Sequence, residues 1–337
     1  MSERFELDHV PLRELLSVQD GVVARWQLLE VGALLHDIER MVRRRELRRV
    51  HPGVFVNHTG PLTQRQREWA AVLTAWPAAL AGASALPGPA PGNVQIAIAR
   101  GRTLRLPKGV EVRHVSDLQR RVMWHRAPPR VRVEHATIDE MSKHIRAGDV
   151  AAGFATLATV AQSRRTTPDR ILLALASRRR VAGRAMIVSM LCDLRDGVCS
   201  VLERGYRDNV ERAHGLPTAS RQHETSSLGT RTHQDVRYRQ FGLVVELDGL
   251  AFHGDAAARD DDAARDLAEL AASGAPTARV TYGLAFTTPC RTARWIAEIL
   301  HHRGWAGELK PCPRCTQDPA PRQRCGSEAP STSESHH

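Results

Sequence analysis

Apolar residues recur at helical spacing over residues 10–46, and the period then shortens to that of a strand. Leu12, Leu15 and Leu16 form one stripe, and Val23, Trp26, Leu28 and Leu29 form a second that stops near Gly32. Residues 36–46 make a third helix, with Ile38, Met41 and Val42 inward and Arg40, Arg43 and Arg44 outward. The stretch 47–56 alternates about Pro52-Gly53, which is the pattern of a short hairpin. Arginines on the third helix of such a unit suit a DNA groove and its flanking phosphates. Arg40, Arg43, Arg44, Arg48 and Arg49 are therefore the candidate DNA-binding residues. The plainer alternative is a solvated basic face on a small helical module.

Farther on, residues 62–80 read as one helix, Pro87 to Gly92 as a linker, and 94–99 and 110–115 as strands. A helix opens after Pro128-Pro129, so 59–145 is expected to be a connecting α/β subdomain. Helices at 150–162, 167–176 and 185–194 make 146–194 a helical linker region, the second helix announced by Thr167-Pro168-Asp169. Ser200 opens another helix, carrying Glu203, Tyr206 and Glu211. A polar loop follows, then two strands, a helix near 260–272, a strand at 278–286 and a helix at 292–303. From residue 307 the chain is Pro- and Ser-rich, and 307–337 is expected to be a disordered tail.

The strand Val244-Val-Glu246-Leu-Asp248 is unusual in carrying two carboxylates. Residues two apart on a strand face one side, with Cα atoms roughly 7 Å apart. An ionised carboxylate out of water requires a partner or a cation. Asp235 lies on the preceding strand, and a hairpin near Phe241-Gly242 would bring a third acid to the same end. Clustered acids on a sheet are how a hard dication such as Mg²⁺ is held for phosphodiester chemistry. Each acid also has a plainer reading. Glu203 would pair with Arg204 or Arg207, Asp248-Gly249 would end a strand, and His253 would be a loop histidine.

Composition supports an acidic polymer as partner. Forty-eight Lys+Arg against 37 Asp+Glu give a net charge of +11, and only Lys108, Lys143 and Lys310 are lysines. Arginine makes bidentate contacts with phosphate and guanine. An aromatic content of 4 % argues against a stacking-based single-strand binder. The uncharged stretch 69–99 is broken by Pro77, Pro87, Pro89 and Pro91, so no membrane partner is expected. Six scattered cysteines and a charged start point to a cytoplasmic protein with reduced thiols. Cys312-Pro-Arg-Cys315 has half the spacing of a zinc site. With no second such pair, it is expected to be incidental to the tail.

Two resemblances sharpen these expectations. Val22-Val23-x-Arg25, the Arg-rich helix and Arg48-Arg-Val-His-Pro-Gly-Val-Phe55 resemble the winged helix-turn-helix of type IV abortive-infection antitoxin-like proteins. Those proteins commonly carry Gly where this chain has Arg45. Ser200-Val-Leu-Glu203, Val210-Glu211, His214-Gly-Leu-Pro217, Arg221-Gln222, Asp235-Val-Arg-Tyr238, Val244-Val-Glu246-Leu-Asp248-Gly249 and Phe252-His253 form a second set. That set is similar to the PD-(D/E)xK nuclease superfamily, in the group related to very short patch repair endonucleases.

The resemblances imply an α/β (α+β) chain in five parts. These are a winged helix-turn-helix at 1–58, the connecting segment, the helical linker, a nuclease-like mixed sheet flanked by helices at 195–306, and the tail. Asp235 and Glu246 would bind Mg²⁺ and Glu203 would reach in from its helix, while Asp248 stands in the slot of the usual lysine. His253 would handle water, and Arg221 or Gln222 would supply the electrostatic support. The implied activity is Mg-dependent DNA hydrolysis. The alternative is a non-catalytic regulator or antitoxin with a degenerate nuclease domain and a cognate toxin as partner.

Overall fold

The computed structural model describes residues 5–89, 92–221, 235–248, 270 and 274–315. It has an α+β fold that divides into two compact units, Met1–Asp196 and Gly197–His337. Among the described residues, no helix is long and apolar enough to cross a membrane.

The first unit opens with α1 (Val10–Val18), β1 (Val22–Ala24), α2 (Arg25–Glu30), α3 (Leu35–Arg43), β2 (Arg48–His51) and β3 (Val54–Val56). The hairpin read from the alternation is β2–β3, and β1 adds a third strand in the order β1-β3-β2. Leu12, Leu16, Val23, Leu28, Ile38, Met41, Leu47 and Phe55 bury one face of this sheet under the helices. The other face is buried too. Val22, Ala24, Val54 and Val56 pack against Trp69, Ala70 and Leu73 of α4 (Gln64–Thr74), which explains why β1 and β3 contain no exposed position. Thr63 and Gln66 cap α4 reciprocally: Gln66 N–H donates to the Thr63 hydroxyl and Thr63 N–H to the Gln66 side chain. The helix expected over 62–80 stops at Thr74 because Pro77 cannot continue it.

Beyond Pro77, β4 (Ala79–Leu80), β5 (Val94–Ala99), β6 (Val110–Val115), β7 (Val122–Met123) and β8 (Arg130–Val131) form a sheet in the order β6-β5-β4-β8-β7. The uncharged stretch seen in the sequence supplies its core, with Ala71, Val72, Ala79, Leu80, Ile96 and Ile98 all buried. A short helix, α5 (Leu118–Arg121), leads into β7. The stretch read as a helical linker instead packs as part of this unit. Here α7 (Val150–Gln162), α8 (Pro168–Ala176) and α9 (Arg184–Asp196) surround α6 (Val133–Arg146). Arg178 to Asp139 at 2.6 Å and Thr166 to Glu134 at 2.8 Å stitch them to α6.

The second unit begins with α10 (Ser200–Gly205), which runs on in wider π geometry over Tyr206–Arg212. An ideal Cβ on Gly205 would lie 2.2 Å from Phe286 Cζ, so only glycine permits that approach. The sheet β9 (Ser220–Arg221), β10 (Asp235–Tyr238), β11 (Leu243–Leu247) and β12 (Thr277–Val280) has the order β12-β11-β10-β9. β9, β10 and β11 pair antiparallel and β12 adds to β11 in parallel, giving the expected mixed sheet. The strand expected through 286 ends at Val280, because Gly283–Thr287 coils as a π turn with Tyr282 and Phe286 stacked at 5.6 Å. α11 (Pro289–His302) follows. The expected helix at 260–272 falls almost wholly outside the described residues.

The expected disordered tail starts too early. Residues 307–315 are described, and Lys310 N–H donates to the His214 carbonyl at 2.9 Å, anchoring the segment to the end of the helix that begins with α10.

Helix α3 ends in a Schellman motif, with Glu46 N–H to Met41 O at 2.9 Å and Arg45 N–H to Val42 O at 3.1 Å. The residue at the turn, Arg45, has φ 62° and an exposed side chain. An L-residue with a Cβ is disfavoured there by about 1 kcal/mol. Arg45→Gly is expected to raise unfolding stability by up to about that amount, read as a higher urea midpoint with unchanged slope.

Candidate functional site

All five residues of β11 are buried, which is what an interior strand flanked on both sides requires. Glu246 sits among them with 6 % exposure. Strand register sets its surroundings. Position 235 stands directly opposite it on β10, and Arg279 directly opposite it on β12. Arg279 Nε lies 3.2 Å from Glu246 Oε2. Asp248, also buried, follows one residue after the strand, where its N–H donates to Val280 O at 3.0 Å. Two carboxylate positions in direct register and a third two residues on fit the donor set of a hard dication. Arg279 is the cation that stands beside Glu246 in this register.

Sequence reasoning missed Arg279. Its only local signal is one charge between Ala278 and Val280, and the partner that makes it meaningful lies on another strand.

The other face of the sheet carries a second charged group. Val236 and Tyr238 are buried on it, and the Tyr238 hydroxyl meets the Tyr206 hydroxyl at 3.0 Å. Arg221, the register partner of Val236, starts from this face. It lies 3.5 Å from Glu203 Oε1 and donates to Glu211 Oε2 at 2.9 Å. Alternation gives Glu246 the opposite face, so Glu203 belongs to the Arg221 pairing and the two acids are not neighbours on one surface. The close ion pair of Glu203 is with Arg221 rather than with the Arg204 or Arg207 of its plainer reading, although Arg207 still feels its charge. Burial pushes the Glu211 carboxyl up, and the Arg221 guanidinium pulls it back. Gln222 and His253, both expected at the site, lie outside the described residues.

In the N-terminal module the five candidate arginines separate. Arg40 turns inward, donating to Asp37 Oδ1 at 2.7 Å and to the Phe5 carbonyl. Arg48 is held by the carbonyls of His58 and Gly60, at 3.3 and 2.8 Å. These two brace the module rather than face a groove. Arg43, Arg44 and Arg49 are exposed, the last lying over the Phe55 ring at 5.8 Å. Comparison with protein-family models and with curated proteins finds no match for the chain.

Arg221 holds two acids, one of them deeply buried. Arg221→Met leaves Glu211 buried without its cation, which is expected to destabilise the fold by about 3 kcal/mol at neutral pH. A carboxyl whose folded pKa is raised favours the fold in its protonated form, so the loss grows as pH rises through that pKa and shrinks toward pH 4. Urea unfolding of Arg221→Met at both pH values checks this, and Glu211→Gln in the same background should remove the pH dependence.

Proposed function

We propose that the chain binds DNA through its N-terminal winged-helix module and hydrolyses phosphodiester bonds with Mg²⁺ at the acid site of the second unit. The observation that carries this reading is the register of position 235, Glu246 and Arg279 on three adjacent strands, with Asp248 beside them. The meander of three antiparallel strands followed by a parallel fourth supports it, being the mixed sheet that the resemblance to PD-(D/E)xK nucleases implies. Asp235 and Glu246 would hold the ion. When bound, Mg²⁺ lowers the pKa of a water and polarises the phosphate. Arg279 steadies negative charge on the phosphoryl oxygens and, always protonated, takes no part in proton transfer. Asp248 or His253 accepts the proton of the attacking water. Exposed Arg43, Arg44 and Arg49 grip the duplex.

One observation favours a second reading, a non-catalytic regulator or antitoxin acting with a cognate toxin. Glu246 and Glu203 each face an arginine, and no lysine stands between Lys143 and Lys310. The full chain with Mg²⁺ or Mn²⁺, offered supercoiled, nicked and mismatched duplexes, separates the two. Cleavage that falls to background in Glu246→Gln, and is slowed in Arg279→Ala with DNA binding intact, supports the nuclease. Tight binding of every form without a single break supports the regulator. Under both readings Arg43→Ala with Arg44→Ala weakens binding across all sequences and lowers the salt slope by about one per arginine removed.

A further inference from the structure

Four side chains that the acid site does not use meet elsewhere in the second unit. They are His214, at the end of the helix that starts with α10; Cys290, in the first turn of α11; and Cys312 and Cys315, beyond that helix. One ligand atom from each lies within 4.8 Å of all the others. The sulfur separations are 3.5 Å for Cys290 to Cys312 and 3.8 Å for Cys312 to Cys315, and Cys315 Sγ lies 3.6 Å from His214 Nε2. A tetrahedral zinc with Zn–S near 2.3 Å and Zn–N near 2.0 Å has S···S edges of about 3.8 Å and S···N edges of about 3.5 Å. A disulfide would need sulfurs about 2.05 Å apart.

The surroundings also prepare the ligands. His214 is fully buried, and its Nδ1 faces the Val210 carbonyl at 3.1 Å. A carbonyl only accepts, so Nδ1 carries the proton and Nε2 presents its lone pair to the sulfurs. Backbone N–H groups of Cys312 and Arg314 donate to the sulfurs of Cys315 and Cys312, at 3.2 and 3.3 Å, as suits thiolates. The Cys-x-x-Cys pair dismissed from sequence as incidental thus has its two missing partners, which come from far upstream.

We propose that His214, Cys290, Cys312 and Cys315 form a Cys₃His zinc site. Four protein ligands leave no open position, so the site is structural. It ties the end of the helix carrying Glu203 and Glu211 to the start of α11 and to the segment that follows it. Soft sulfur and imidazole donors select zinc, as oxygen donors select magnesium. The site therefore stands or falls independently of the nuclease reading.

The test is the metal content of the untagged full chain, purified reduced and without chelator. About one zinc per chain is expected. Cys312→Ser with Cys315→Ser should lose it, whereas Cys192→Ser and Glu246→Gln should keep it. Because the double variant can fail to fold, the wild-type apoprotein is also titrated with Co²⁺. An intense thiolate-to-cobalt charge-transfer band saturating at one equivalent supports the site. Folded wild-type chain that holds no zinc and gives no such band overturns it, as does recovery of Cys290 and Cys312 as a disulfide from freshly isolated chain.

Discussion

The placement of Glu246 constrains the second unit more than any other single residue. It lies inside a strand buried along its whole length and paired on both sides. Removing a carboxylate from water costs several kcal/mol, so a cation has to be within reach. Arg279 meets that need through register alone, because the parallel pairing of β11 and β12 sets it opposite Glu246. A slip of one residue would send Glu246 to the face where Tyr206 and Tyr238 share a buried hydroxyl contact. Charge thus fixes the strand pairing, and the pairing fixes which acids are neighbours.

That logic also explains why Glu203 is separate. The opposite face has its own charge group, in which one guanidinium serves Glu211 and Glu203. Arg221 suits this work because its planar fork can address two carboxylates at once. Two arginines on two faces therefore hold three buried or half-buried acids, Glu203, Glu211 and Glu246, in place. Exchanging either for lysine would remove the fork while leaving the charge.

Local signals made much of the fold legible. Alternation located 94–99 and 110–115 to the residue, helical periodicity located α7 and α8, and acids inside an apolar run marked β11. The failures share a physical cause. The two-residue strands β4, β7 and β8 are too short to show a period, and exist only because neighbouring strands pair with them. Arg279 looks like an ordinary surface charge until pairing places it, and the acids that Arg221 meets, Glu203 and Glu211, show only once β9 pairs with β10. Arg40 and Arg48 look like groove-facing charges, yet carbonyls and a buried Asp37 claim them. The cysteine cluster was hidden by distance, since Cys315 and His214 are 101 positions apart. A half motif in sequence says nothing about who completes it.

Separation of donor types offers a reason for having both clusters in one unit. Under the proposed nuclease reading the oxygen ligands on the sheet take a hard ion, whereas thiolates in the same place would capture zinc and block it. Sulfur and imidazole kept off the strands, at the ends of two helices and in the turn beyond the second, prevent that competition. The sulfur cluster still shares an element with the Arg221 group, because the helix that begins with α10 carries Glu203 and Glu211 along its length and His214 at its end. Loosening the sulfur cluster would first free the end of that helix and the segment anchored by Lys310, next disturb Glu211 against Arg221, and reach β11 last. The strand interior, pinned by register and by Arg279, depends least on that cluster. Damage from metal loss should therefore spread from the helix toward the sheet.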